Sequence, residues 1–238
     1  MFKKIIIFML IMAFMFTLSS CKSKEEETDN ITSEIPQEGN YTRYTEVEER
    51  IPHNIINAEL VDYDEDKLFD ESDLIFEGVV IDEKEIGLEE YINGRLRHTY
   101  YRDVFTFRVE KIFYTKNSSI KIGDVIKVAN GSCSNYWIEG TIKMEKDKKY
   151  IVLTRKSRDT DTVEFSKYYD YAVVTHWMAI ISVENGDYIF DEVFTSLKSS
   201  AKEEKIRKDG EFKTKMYKKG KEFETELENL ISKKKKEN

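Results

Sequence analysis

The chain has 238 residues, 40% of them hydrophobic, with 38 Lys and Arg against 46 Asp and Glu and only two Cys. A net charge of −8 argues against a nucleic-acid binder, which neutralises phosphates with clustered Lys and Arg, and the modest apolar content argues against a polytopic membrane protein. Two cysteines are too few for a disulfide scaffold, and no substrate or partner is legible in these totals.

The first element is a targeting pattern. Lys3 and Lys4 make a short basic start, and residues 5–18 are apolar except for Thr17. As a helix this run would reach about 21 Å, short of the roughly 30 Å of a bilayer core. Residues 1–20 therefore read as a signal peptide and not as a spanning helix. The run ends in Leu18-Ser19-Ser20-Cys21, which resembles the cleavage box of bacterial lipoproteins, where leucine and two small residues precede a cysteine. The resemblance implies a diacylglyceryl thioether on Cys21, cleavage before it, and attachment to membrane lipid at the outer face of the bacterial cell membrane. Two acyl chains give stable anchoring where one does not. The alternative is an ordinary signal peptide followed by a chance cysteine. Removal of Lys3 and Lys4 with the first 20 residues takes the net charge from −8 to −10. With Cys21 acylated, Cys133 has no disulfide partner, and stability must come from an ordinary apolar core.

Residues 21–57 are expected to be a disordered tether. Up to Arg50 they are polar and acidic, with Glu25-Glu26-Glu27, Asp29, Glu34 and Glu38, and show neither a helical nor an alternating apolar period. Tyr41 and Tyr44 are candidate docking contacts. Asp62, Asp64, Asp66 and Asp73 have the spacing of a calcium loop. The sixth position, where a sharp turn needs Gly, is Lys67, and the twelfth is Asp rather than Glu. An acidic helix start leading into a strand is the favoured reading.

Strand signals follow in order. Residues 74–81 are β-branched and apolar, with Gly78 marking a bulge or barrel bend. Across residues 100–114, Phe105, Phe107 and Val109 alternate with Thr106, Arg108 and Glu110. Between these runs, Asn93-Gly94 is a hairpin signal within a longer connection. Further strands are expected at 125–129 and, after a charged turn at 146–149, at 150–154. A long β-rich run covers 171–183, and Asn185-Gly186 joins it to 188–194 in the clearest hairpin of the chain. From Ser196 onward strand formers thin out. Phe223, Leu227, Leu230 and Ile231 recur at helical spacing, with Glu222 and Glu224 in the first turn and lysines from Lys233 at the end. A helix is expected over 221–234.

Alternating β-α units are absent, which excludes a parallel doubly wound sheet. The expected fold is mainly β, a small antiparallel barrel over residues 58–195 with a helical tail over 196–238. The strings Glu71-Ser-Asp-Leu-Ile-Phe-Glu-Gly-Val-Val80, Phe107-Arg-Val-Glu-Lys-Ile112, Ile122-Gly-Asp-Val-Ile-Lys-Val128 and Asp147-Lys-Lys-Tyr-Ile-Val-Leu153 resemble, in order and pattern, bacterial surface lipoproteins with a TIMP/netrin-like domain. That resemblance implies an OB-like barrel. Lys148 stands where that pattern has Gly. Inhibitors of that fold chelate a protease zinc through an N-terminal cysteine. Here Cys21 lies well before the barrel and is expected to be acylated, so the mechanism does not carry over.

Candidate chemistry is sparse. Cys133 sits in Asn130-Gly-Ser-Cys-Ser-Asn-Tyr-Trp137 and could be a thiol nucleophile with His98 or His176 as base, or a packed thiol. His53, His98 and His176 have no close-spaced partner, so no metal set is expected, and no cofactor motif is present. The aromatics are more informative. Trp177 and Phe107 are expected to pack, whereas Tyr136-Trp137 in a loop and Tyr168-Tyr169 beside a turn are the best binding candidates. The favoured function is a non-enzymatic binding or interaction module for an envelope protein, peptide or glycan. The alternatives are a cell-envelope enzyme using Cys133, or a structural or signalling partner docked through the tail helix.

Overall fold

The structure, a computed structural model, describes residues 39–47, 55–56, 63–130, 137–138, 142–175, 178–208 and 211–236. Among them the strands are β1 (Tyr41–Glu46), β2 (Ile55–Ile56), β3 (Leu74–Ile92), β4 (Arg95–Thr115), β5 (Val125–Asn130), β6 (Trp137–Ile138), β7 (Lys149–Lys156), β8 (Tyr171–Val173), β9 (Ile180–Glu184), β10 (Asp187–Asp191), β11 (Lys202–Lys208) and β12 (Glu211–Lys219). The helices are α1 (Glu65–Asp70) and α2 (Gly220–Lys234).

Two Asn-Gly turns set the register. Asn93 and Gly94 (φ 50° and 70°) and Asn185 and Gly186 (φ 52° and 83°) all lie in the left-handed region. Two such residues in succession make the tight turn whose twist matches that of the flanking strands. The second turn joins β9 to β10 as expected. The first departs from the expected longer connection, because β3 and β4 run directly into it. The reason is a buried face inside a charged stretch. Ile86 and Leu88 alternate with acidic residues and pack with Val104, Val163 and Phe165.

Five strands close a barrel. β3 pairs with β4, β4 with β5, β5 with β8, β8 with β7, and β7 returns to β3. This is the OB-like ring, antiparallel except for the β5–β8 pair. Alternation puts Leu74, Phe76, Phe105, Phe107, Tyr150 and Val152 inside it. The intervening Ile75, Ile151 and Leu153 point outward into a second core, which explains why β7 reads as a continuous apolar run. Gly78 lies at a register shift between β3 and β4. A Cβ there would sit 2.8 Å from the Arg108 carbonyl oxygen and 3.0 Å from the Phe76 ring. The barrel needs this glycine for close approach of its strands.

From β7 the sheet continues through β9, β10 and β12 to β11. The segment expected to be helical from Ser196 is therefore strand over β11 and β12, and helical only from Gly220. Composition concealed this because the lysines of β12 are not all solvated. Met216 opposes Phe190, and Lys218 opposes Tyr188. The Lys218 side chain is buried and binds Glu226 and the Ser199 carbonyl oxygen. The edge of β10 needs a partner, and β12 supplies it.

The four-residue stripe foreseen on the tail helix is the one that α2 buries. Phe223, Leu227, Leu230 and Ile231 pack with Leu68 and Phe69 of α1 and with Tyr188, Phe190 and Phe194. Burial of side chains of this size stabilises by about 1.5–3 kcal/mol each.

Part of the stretch expected to be a disordered tether is also ordered. β1 pairs antiparallel with the outer half of β3. Tyr41 stacks on Tyr91 at 4.6 Å, and Arg43 bridges Glu89 at 2.6 Å. The extended β3 leaves an open edge there, and Gly87 leaves room for Thr45, whose Oγ1 lies 2.6 Å from where a Cβ would be.

Candidate functional site

β7 passes out of the core at Arg155. From Tyr150 to Thr154 its side chains are buried on both faces. Arg155 and Lys156 are exposed, and Ser157-Arg158 continue beyond the strand. This exit is fixed by β8 and its neighbours. The Ser157 N–H donates to the Asp170 carbonyl oxygen at 3.0 Å, and Asp170 Oδ2 accepts from the Lys127 N–H at 2.8 Å. The following loop is held by Asp159, whose carboxylate accepts from both the N–H and the hydroxyl of Ser166 at 2.8 Å. A short turn of 3-10 helix at Phe165–Lys167 then sets Tyr169 against the barrel.

These pieces surround a cleft of about 420 Å³, lined by Arg102, Ala129, Arg155, Lys156, Ser157, Arg158, Phe165, Tyr169, Ala172 and Val173. Four of its lining residues are cationic and none is acidic, in a chain of net charge −8. Neutralisation by neighbours is partial. Arg155 lies 3.8 Å from Glu71. Arg102 Nη1 donates to the Tyr101 carbonyl oxygen at 2.7 Å. The Lys156 ammonium sits 5.7 Å from the centre of the Tyr171 ring. Asp73 accepts from the Lys156 N–H and binds Lys116. Burial pushes the Asp73 carboxyl up, but these contacts, with the field of Arg158, outweigh it and hold it below its usual range.

Phe165 and Tyr169 form the apolar wall and are 8% and 6% exposed. Burial raises the Tyr169 phenol above its usual range, against the opposing pull of Arg102 and Arg155. The Ser157 hydroxyl, 9% exposed, lies against that phenol and opposes the rise, but it makes no hydrogen bond of good geometry. A buried hydroxyl without a well-formed hydrogen bond costs free energy that a ligand oxygen could recover. A second cleft, of about 330 Å³, lies along Lys143, Lys148, Lys149, Glu145 and Glu184. Its charged lining residues are of both signs.

Of the two expected binding aromatics whose side chains are described, Tyr168 and Tyr169, Tyr169 lines the cationic cleft. Tyr168 stacks on Tyr44 at 5.2 Å with near-parallel rings and serves packing. Tyr136 lies outside the described residues, as does the side chain of Trp137, whose backbone pairs with β2. Cys21, Cys133, His53, His176, Trp177 and Asp62 also lie outside them. His98 is exposed on the β3–β4 arm, edge-on to Tyr100 at 4.4 Å.

The acidic stretch is a helix start. Asp64 caps α1 by accepting from the Lys67 N–H at 2.8 Å, and Asp66 binds Lys234. Among the described residues no group of three or more His, Cys, Asp or Glu is placed to hold a metal ion.

Sequence reasoning missed Arg102, Arg155, Lys156, Ser157 and Arg158. A signal was present. Arg155-Lys156-Ser157-Arg158 is a dense cationic run directly after an apolar strand in an acidic chain. Arg102 could not have been joined to it without the β4–β5–β8–β7 pairing. Compared with protein-family models, curated proteins and solved structures, the chain matches none.

Proposed function

We propose that this chain is a lipid-anchored, extracytoplasmic binding module. In this reading Cys21 carries the anchor, the acidic residues after it hold the domain away from the membrane, and the barrel recognises a ligand in a non-enzymatic way. The observation that carries the binding half is the cleft beyond β7. It is open, of the size small ligands occupy, and combines an apolar wall with convergent polar groups. The anchoring half rests on the basic start, apolar run and Leu18-Ser19-Ser20-Cys21 in register.

Docking through the tail helix finds less support, because the apolar stripe of α2 is already covered by the chain's own sheet. Changing Cys21 to Ser tests the anchor. The variant is expected to leave the membrane fraction or to remain unprocessed, and a variant still processed and membrane-bound would refute the anchor. The recognition half is tested by amide-signal changes at Ser157 and Tyr169 on titration with soluble envelope glycans, peptides and anions.

A further inference from the structure

We infer that the cleft beyond β7 is a receptor for a phosphoryl group, carried by a small soluble phosphate ester or by a phospholipid headgroup. This rests on reading the chain as a binding module. Arg102 reaches the cleft from β4, Arg155 and Lys156 from the end of β7, and Arg158 from the residue after Ser157. Like charges so close repel one another, and the cleft contains no acid of its own. Glu71 answers only Arg155, at 3.8 Å, and Asp73 is already engaged by Lys116 and the Lys156 N–H.

A single carboxylate would leave most of that positive charge unanswered. A phosphoryl group carries up to two negative charges and three acceptor oxygens, which suit the planar fork of arginine. The Ser157 hydroxyl is nine-tenths buried, has only a loose contact with the Tyr169 phenol, and offers one further donor. Phe165 and Tyr169 give the organic remainder of the ligand a wall to pack on. A positive cleft on an acidic molecule also focuses the field and draws anions toward it.

The test is calorimetric titration of the detergent-solubilised full chain with pyrophosphate, and with acetate at matched ionic strength. Pyrophosphate is expected to bind, with acetate at least tenfold weaker. Each of Arg155→Gln and Arg158→Gln should weaken pyrophosphate by about tenfold or more, the scale of a lost charge-assisted hydrogen bond. Ser157→Ala should weaken it by about two- to tenfold. Lys148→Gln in the second cleft should leave it unchanged, and thermal melts should show all four variants folded.

Vesicles of phosphatidylcholine with and without phosphatidic acid identify the source. Retention of the Cys21→Ser chain on phosphatidic acid, abolished by Arg155→Gln, assigns a headgroup. No retention with pyrophosphate binding intact assigns a soluble ester. Equal affinity for acetate, no pyrophosphate binding, or binding indifferent to the arginine changes would overturn the inference. If pyrophosphate fails while an uncharged glycan or a peptide still moves the Ser157 and Tyr169 signals, only the phosphoryl assignment falls. Silence of those signals to every probe overturns the binding reading as well.

Discussion

Tyr188 shows how one residue couples the barrel to its helix. Its hydroxyl lies 2.8 Å from Glu77 Oε2 and 2.9 Å from Glu224 Oε1. One phenol proton can serve only one of them at a time. The carboxylates depend otherwise on lysines, Glu77 on Lys149 at 3.1 Å and Glu224 on Lys111 at 2.6 Å. Burial, then the two carboxylates, push the Tyr188 phenol well above its usual range. A raised native pKa contributes stability that is complete below the unfolded value, near 10, and lost as pH climbs from there. Glu224 runs the other way. Hydrogen bonding to Lys111 holds it below its usual range, so its contribution is present above the unfolded value of 4.5 and lost as pH falls through it. Urea unfolding across pH should therefore show stability falling above about pH 10 and below about pH 4.5. Tyr188→Phe should cost about 1–3 kcal/mol at neutral pH, because Glu77 stays buried without that donor. It should also flatten the alkaline fall. An unchanged alkaline limb would mean that another group sets it.

At the level of elements, α2 is a wall of the fold. Its stripe packs on Tyr188 and Phe190 of β10 and shares one core with the outward side chains of β3, β7 and β9, so Leu227→Ala should cost about 2–5 kcal/mol in urea unfolding. A cost under about 1 kcal/mol would mean that the helix is peripheral. Deleting residues 220–238 should expose that face and abolish cooperative unfolding, whereas retained cooperativity would show that the barrel stands alone.

The helix was legible because both of its ends and its stripe are local signals. So were the alternation of β4, the bend at Gly78 and the Asn185-Gly186 turn. What composition hid was set by pairing over distance. β12 has its lysines because Lys218 finds Glu226, and β1 forms because β3 leaves an edge beside it. The candidate site followed the same rule. Tyr169 stood out as an aromatic beside a turn, but the four cations around it come from β4 and from the end of β7 with the loop after it, which meet only when the barrel closes.

For the molecule as a whole, charge is unevenly distributed. The net charge is −8, yet one cleft is wholly basic among its charged lining residues. Binding there should weaken as salt rises, since exposed charges are screened beyond about 10 Å at 0.1 M ionic strength. The central claim is that the barrel recognises its ligand between β4, β7 and β8. The most direct measurement is amide-shift mapping of the full chain with pyrophosphate. The largest changes are expected at Arg102, Ser157, Arg158 and Tyr169, diminishing with added salt. Changes centred elsewhere, such as the second cleft at Lys148 and Lys149, or none at all, would contradict it.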